Sequence, residues 1–289
     1  MTALRRNFVV SWLSGVTVSV LFGLWGCMQT QVAAPAASAP TSSAAAVVAA
    51  PTPAPPAESA PTAASFEALV AAPDRSEEDR ALDAGRHPTE LLALAGVRAG
   101  MHVAELGAGG GYTAELLARA VGPSGVVYGQ NTKDLLERFA EKPWSTRLAK
   151  PVMKNVVRTD RNFDDPLPPE AKGLDAVFMV LFYHDTVWQN VDRPRMNQAI
   201  FQALKPGGLY VLLDHSSRPG AGLSEVKTLH RIEEPLLRAE IEQAGFRLVR
   251  QSDVWRVPSD SRDWSTSPRV VAAERRGTSD RFALVYARP

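Results

Sequence analysis

Cysteine is nearly absent. Cys27 is the single example in 289 residues, so no disulfide can staple the chain to itself. Neither sign of charge is in excess, because 32 Lys and Arg against 31 Asp and Glu leave a net charge of +1, and the two kinds are intermixed. No basic face is legible, and long-range attraction to nucleic acid is not expected. Aromatic residues amount to 7% and are missing altogether between Ala33 and Ser65. That stretch is Ala, Pro, Ser and Thr, interrupted only by Val47, Val48 and Glu58. Without a hydrophobic period it cannot bury a core, and it reads as a flexible, partly extended linker. Folded sequence is expected from Phe66 to Pro289, enough for one well-filled core and one domain.

Ahead of the linker, Arg5 and Arg6 precede an uncharged, mostly apolar stretch from Phe8 to Trp25, the pattern of a targeting segment. It ends in Leu24-Trp25-Gly26-Cys27, which resembles a bacterial lipobox, with Trp25 standing where a small residue is usual. A chain whose one cysteine lies here carries no stray thiol into an oxidising compartment. The expected division is 1–27 signal and lipobox, 28–65 linker and 66–289 folded domain. Export to the cell envelope as a lipoprotein is the first expectation. A soluble form cleaved near Ala33-Ala34, or retention of the apolar stretch as an anchor, follows it.

The most informative residues run from Val103 to Tyr112, Val-Ala-Glu-Leu-Gly-Ala-Gly-Gly-Gly-Tyr. A short strand, Met101 to Ala104, leads to a carboxylate and a glycine loop, Glu105-x-Gly107-Ala108-Gly109-x-Gly111, and a helix opens at Tyr112 and runs to Ala120. Glycines allow positive φ and leave no Cβ between backbone and ligand, while a helix start offers unpaired N–H groups. A dinucleotide fingerprint G-x-G-x-x-G begun at Gly107 would need glycine where Tyr112 stands. The run resembles instead the first motif of class I S-adenosylmethionine-dependent methyltransferases, acidic-x-G-x-G-x-G. In such a site Glu105 suits a ligand bearing an ammonium and a sulfonium and no pyrophosphate.

Downstream, apolar runs and turn signals alternate. Strands are predicted at Gly125–Gly129, Val152–Arg158, Asp175–Phe182, Leu209–Leu213, Phe246–Arg250 and Phe282–Ala287. Helices are predicted over Glu77–Val97 with a break at His87-Pro88, over Lys133–Ala140, Pro194–Leu204 and Arg231–Ala244. Asp175–Phe182 is the near-continuous apolar run of a strand buried on both faces. The alternation argues an α/β, doubly wound, mostly parallel sheet. Leu204-Lys205-Pro206-Gly207-Gly208 before an apolar strand is a second methyltransferase-like motif, and the resemblance implies a Rossmann-like, seven-stranded sheet whose last strand is antiparallel. Asp79 to Pro88, Tyr183-His184-Asp185, Asp214-His215 and Thr278 to Phe282 further resemble exported predicted methyltransferases of bacteria.

Ligands of such sheets bind beyond the carboxyl ends of the strands. The resemblance implies S-adenosylmethionine as cofactor, with Glu105, Gly107, Ala108, Gly109 and Gly111 at its amino-acid end. It also implies Gln130 or Asn131 in place of the usual acidic residue at the ribose, and Asp160 at the adenine or, equally, as a turn former. Tyr183-His184-Asp185 and Asp214-His215 are expected to converge on the methyl acceptor. Methyl transfer needs alignment and, for a hydroxyl or protonated amine, removal of a proton. His184 is the leading base, His215 the second, and Asp185 or Asp214 the orienting partner. Asp185, Asp214 and His215 are an alternative divalent-metal set by resemblance to the catechol-type methyltransferases, but that group's third oxygen ligand is lacking here, and no metal is assigned. The Asp/Asn-Pro-Pro-aromatic tetrapeptide of nucleobase-amine methyltransferases is missing too, which favours a small-molecule acceptor. The second reading is a non-catalytic envelope protein that keeps the fold and binds a nucleoside-like ligand. An NAD-dependent oxidoreductase is third.

Overall fold

Seven strands form where the apolar runs were read, in the computed structural model that describes residues 61–289. They are β1 His102–Leu106, β2 Val126–Asn131, β3 Val156–Asp160, β4 Leu174–Val180, β5 Leu204–His215, β6 Arg247–Ser252 and β7 Arg281–Ala287. The targeting segment, and the linker as far as residue 60, lie outside the described residues. Among the described residues no helix is long and apolar enough to cross a membrane.

The sheet order is β3-β2-β1-β4-β5-β7-β6, parallel except at β7, which runs antiparallel to both its neighbours. Side chains of successive strand residues take opposite faces. Val103, Phe178, Val211 and Val285 therefore join one apolar layer while Ala104, Val177, Leu212 and Leu284 join the other. Helices Pro88–Ala95 and Tyr112–Val121 cover the first layer, and Arg193–Ala203 and Glu234–Gln243 the second. Each fully buried side chain of this kind contributes about 1.5–3 kcal/mol, so the two layers supply the main stabilisation.

Several boundaries moved for identifiable reasons. The expected break at His87-Pro88 is present: helix Glu77–Arg86 stops at His87, whose φ is 48°, and Pro88 opens the next helix. The strand expected over Val152–Arg158 begins later, because Pro151–Met153 forms a 3-10 turn, and ends at Asp160, which pairs with Asn131. β4 stops before its apolar run does: Leu181 takes φ 57°, and Tyr183–Trp188 follows as a short helix. β5 begins at Leu204 and absorbs the Lys-Pro-Gly-Gly turn, since Leu204 pairs with Leu174 and Gly207 N–H bonds the Arg288 carbonyl. The helix expected over Lys133–Ala140 continues to Leu148, passing through a π-helical turn at Leu136–Ala140.

Between β6 and β7, residues 253–280 form an irregular roof over the carboxyl ends of the strands. Trp255 pins it: the side chain is 1% exposed, and its Nε1–H donates to the Arg86 carbonyl at 3.0 Å. A fully buried ion pair, Arg231 to Asp260 at 2.8 Å, ties it to the chain leaving β5. Its tip touches helix Glu77–Arg86 backbone to backbone, so that a Cβ on Gly277 (φ 80°) would lie 2.8 Å from Gly85 Cα. Neither main chain can yield locally. Gly277→Ala is therefore expected to destabilise the fold by about 1–3 kcal/mol, read as a lowered denaturation midpoint. Unchanged stability would show that the roof does not rest there.

Candidate functional site

The sheet reverses its winding between β1 and β4, and a cavity of about 840 Å³ opens beyond their carboxyl ends. That volume lies toward the upper end of the roughly 300–1,000 Å³ typical of small-molecule sites. Its floor is the glycine loop. Gly107, Gly109 and Gly111 have φ of 68°, 55° and 83°, so all three occupy left-handed backbone. They are glycine for different reasons. A Cβ on Gly107 would meet the Phe182 ring at 2.6 Å, and one on Gly111 would meet Trp144 at 2.4 Å, whereas one on Gly109 would meet nothing within 4 Å. Gly109 alone of the three faces open space, and that space is the cavity.

Glu105, the fourth residue of β1, points its carboxyl into the same cavity from beneath the loop. It is 4% exposed, and its Oε2 has no hydrogen-bond partner among the described residues. Burial pushes the group up to about 8, against support from the Thr113 hydroxyl, the Arg86 charge and the Ala114 N–H. A buried carboxyl with an orphaned oxygen is costly in isolation, and a cationic ligand group would relieve it.

Four of the loop's own N–H groups are already engaged. Gly107 N–H donates to Gln130 Oε1 at 2.9 Å, Ala108 N–H to the Gln130 carbonyl at 2.9 Å, Gly109 N–H to Asn131 Oδ1 at 2.8 Å, and Gly111 N–H to the Ala108 carbonyl at 2.8 Å. Gln130 also donates to the Arg161 carbonyl, and Asn131 to that of Gly109. Both amides are fully buried. Gln130 and Asn131, expected at a cofactor ribose, here clamp the glycine loop and are not among the residues that line the cavity. Asp160 is also away from it, exposed in β3 and bonded to Arg158. The carboxylate that does reach the cavity after β2 is Asp134, beside Leu135 and Phe139. It was overlooked because it follows the strand by three residues, inside the next helical turn.

At the opposite end of the cavity the predicted cluster converges. Asp214 is fully buried at the end of β5 and accepts from His184 Nδ1 at 2.6 Å, from the His184 backbone N–H at 2.9 Å and from the His215 backbone N–H at 2.8 Å. Asp185 Oδ1 lies 3.3 Å from His184 Nε2 and accepts from Trp188 Nε1 at 2.7 Å. Sequence reading missed a further member, His230, whose Nδ1 is 3.1 Å from the same oxygen. It stands alone in an irregular segment with no spacing to mark it, at φ 53°, and Thr266 of the roof bonds its carbonyl at 2.7 Å. Despite its burial, His184 is raised to about 10, because Asp214 and Asp185 flank the ring. Asp185 is held well below the usual carboxylate range, the His184 charge overcoming its burial. His215 moves the opposite way: burial, then the charges of His184 and Arg281, hold it well below its ordinary value. Its Nδ1 is 2.8 Å from Ser279 Oγ.

Two arginines complete this end. Arg86 lies over the Tyr112 ring, 4.5 Å from its centroid, and Arg281 donates to the Gly277 carbonyl at 2.9 Å rather than to a carboxylate. Burial lowers both, Arg281 to about 10. His87 instead packs edge-on against Trp255.

No protein-family model matches this chain, and no curated protein matches it. Solved structures do. A SAM dependent methyltransferase from Aquifex aeolicus is 19% identical, with 76% of this chain and 96% of that one covered at a TM-score of 0.51. A Haloferax volcanii complex between the Trm112 methyltransferase activator and a proposed methyltransferase gives 20% identity, 78% and 97% coverage and a TM-score of 0.51. A proposed sarcosine dimethylglycine methyltransferase from Galdieria sulphuraria gives 18%, 78%, 98% and 0.50. Likeness at this level is one of architecture: the chain has the Rossmann-like fold of the S-adenosylmethionine-dependent methyltransferases.

Proposed function

We propose that the chain binds S-adenosylmethionine and transfers its methyl group to a small acceptor, working in the cell envelope that the N-terminal segment addresses. The observation that carries this reading is the buried Glu105 oxygen, without a partner among the described residues, beneath a glycine loop that spends four of its N–H groups internally. A pyrophosphate needs free donors and no carboxylate, whereas a ligand with an ammonium and a sulfonium needs the reverse. The buried Glu105 carboxyl counts against the dinucleotide reading.

Glu105 and the Gly109 backbone would hold the cofactor's amino-acid end, and Asp134 its ribose hydroxyls. When bound, the cofactor supplies an activated methyl on a sulfonium. The chain's own residues then align an acceptor and take its proton. That proton goes to His215 in this reading, not His184. His184 carries a positive charge between two carboxylates at neutral pH, while His215 stays neutral and borders the cavity. Arg86 and Arg281, which border the cavity and form no salt bridge among the described residues, fit an acceptor that carries an anionic group.

Calorimetric titration of the full chain with S-adenosylmethionine, S-adenosylhomocysteine and NAD tests the reading. Micromolar affinity for the first two and none for NAD is the expected outcome. A folded chain that binds neither sulfur compound would remove the enzyme reading. Binding without turnover across a panel of anionic acceptors would support the non-catalytic alternative.

A further inference from the structure

Three ligand-type side chains from two separate segments meet where the cavity runs under the roof. His184 and Asp185 come from the first turn after β4, and His230 from the segment following β5. Asp185 Oδ1 is 3.3 Å from His184 Nε2 and 3.1 Å from His230 Nδ1, and the three ligand atoms all lie within 4.8 Å of one another. Ligands about 2.0–2.2 Å from a first-row ion stand roughly 3.0–3.5 Å apart when they occupy neighbouring positions. The two spacings to Asp185 fall in that window before any ion is placed, and the two imidazole nitrogens are within 4.8 Å of each other.

The surroundings orient these ligands. Asp214 accepts from His184 Nδ1 and so orients the ring with Nε2 toward Asp185 and His230; an incoming ion would displace the Nε2 proton that the metal-free cluster holds, giving the carboxylate–histidine arrangement that supports bound metals. Asp214 is itself immobilised by two backbone N–H groups. Trp188 fixes Asp185, and Thr266 fixes the left-handed backbone at His230, a conformation that a non-glycine residue adopts at a cost. His184 is 3% exposed, while Asp185 and His230 are half-buried and border the cavity.

We propose that His184, Asp185 and His230 bind a divalent first-row transition ion, with Asp214 and Trp188 as positioning residues. Two imidazoles and one carboxylate select such an ion over Mg²⁺ and Ca²⁺, which prefer all-oxygen shells. Three protein ligands leave coordination positions open, available to water or to an oxygen of the molecule in the cavity. The set differs from the one weighed on sequence. Asp214 and His215 are not ligands here, because Asp214 is committed to the His184 ring and to two backbone donors, and His215 Nδ1 to Ser279. The inference does not rest on the cofactor assignment, since either site can fail while the other stands.

The test is metal uptake by the full chain, purified without a histidine tag, stripped with chelator and dialysed against Zn²⁺, Co²⁺ or Mg²⁺. The expected result is one equivalent of Zn²⁺ per chain, visible ligand-field bands with Co²⁺, and no retained Mg²⁺. His230→Ala and Asp185→Asn should abolish uptake, and Asp214→Asn should weaken it about 10–100-fold. His102→Gln, on an exposed strand position, should leave it unchanged. Thermal melts identify any variant that has lost its fold, and His230→Gln replaces His230→Ala if the latter does. No stoichiometric uptake by the parent chain, or uptake that survives both His230→Gln and Asp185→Asn, overturns the site and leaves the cluster as a proton-bridged ion network.

Discussion

Gly109→Val is expected to abolish binding of S-adenosylmethionine and S-adenosylhomocysteine, lowering affinity by more than about 100-fold, or ~2.7 kcal/mol, while the chain stays folded. Steric access separates this position from its neighbours. The Cβ of a residue at 109 meets open space where the loop borders the cavity, so valine methyl groups would take volume that a ligand against the loop needs. At Gly107 and Gly111 the added atom strikes Phe182 or Trp144, so Gly107→Ala and Gly111→Ala should lose stability first and affinity only as a consequence. Valine at φ 55° also strains the backbone, which costs of order 1–3 kcal/mol. Gly109→Ala, with less strain and less bulk, should fall between the parent and the valine variant. Calorimetric titration beside thermal denaturation reads both quantities. Wild-type affinity in a folded Gly109→Val chain would place the ligand somewhere other than against the loop.

What could be read from the sequence was chemistry carried by contiguous residues. Glu105 through Tyr112 encode strand end, carboxylate, turn and helix start in one run, and each has its expected structure. Asp214-His215 and His184-Asp185 were legible as pairs at strand ends, and β4 and β5 bring them together because those strands are neighbours. Long-range commitments were not legible. Gln130 and Asn131 look free in a linear reading, yet the parallel pairing of β1 with β2 lays them beside the loop, where its N–H groups engage them. The different surroundings of the two histidines were not legible for a similar reason. Nothing in the sequence says that His184 lies between two carboxylates while His215 faces a serine. The roof carries no periodicity at all. Its position follows from single contacts, Trp255 on Arg86 and Gly277 on Gly85.

Affinity for the cofactor should depend steeply on pH, weakening about tenfold per unit as pH falls below about 8 and reaching about 100-fold at pH 6. The cause is Glu105. In the free chain burial holds it protonated up to about 8. A neighbouring ammonium favours the carboxylate, so each ligand bound below that pH must displace a proton. The ligand-free chain responds in the opposite sense. Its unfolded form loses the Glu105 proton near the ordinary value of 4.5 and its folded form only near 8, so the unfolded state binds fewer protons between these limits. This group's contribution to stability is therefore fully present below 4.5 and is lost as pH rises toward 8. Glu105→Gln removes both effects. The variant should be relatively more stable than the parent at pH 8, bind the cofactor more weakly there, and show a nearly flat affinity profile. Titrations in two buffers of different ionisation enthalpy would report close to one proton released per ligand at pH 6.5 in the parent and none in the variant. A parent chain whose affinity is unchanged from pH 6 to 8, or a Glu105→Gln chain that keeps the full slope, would show that this carboxyl does not receive the ligand's positive charge.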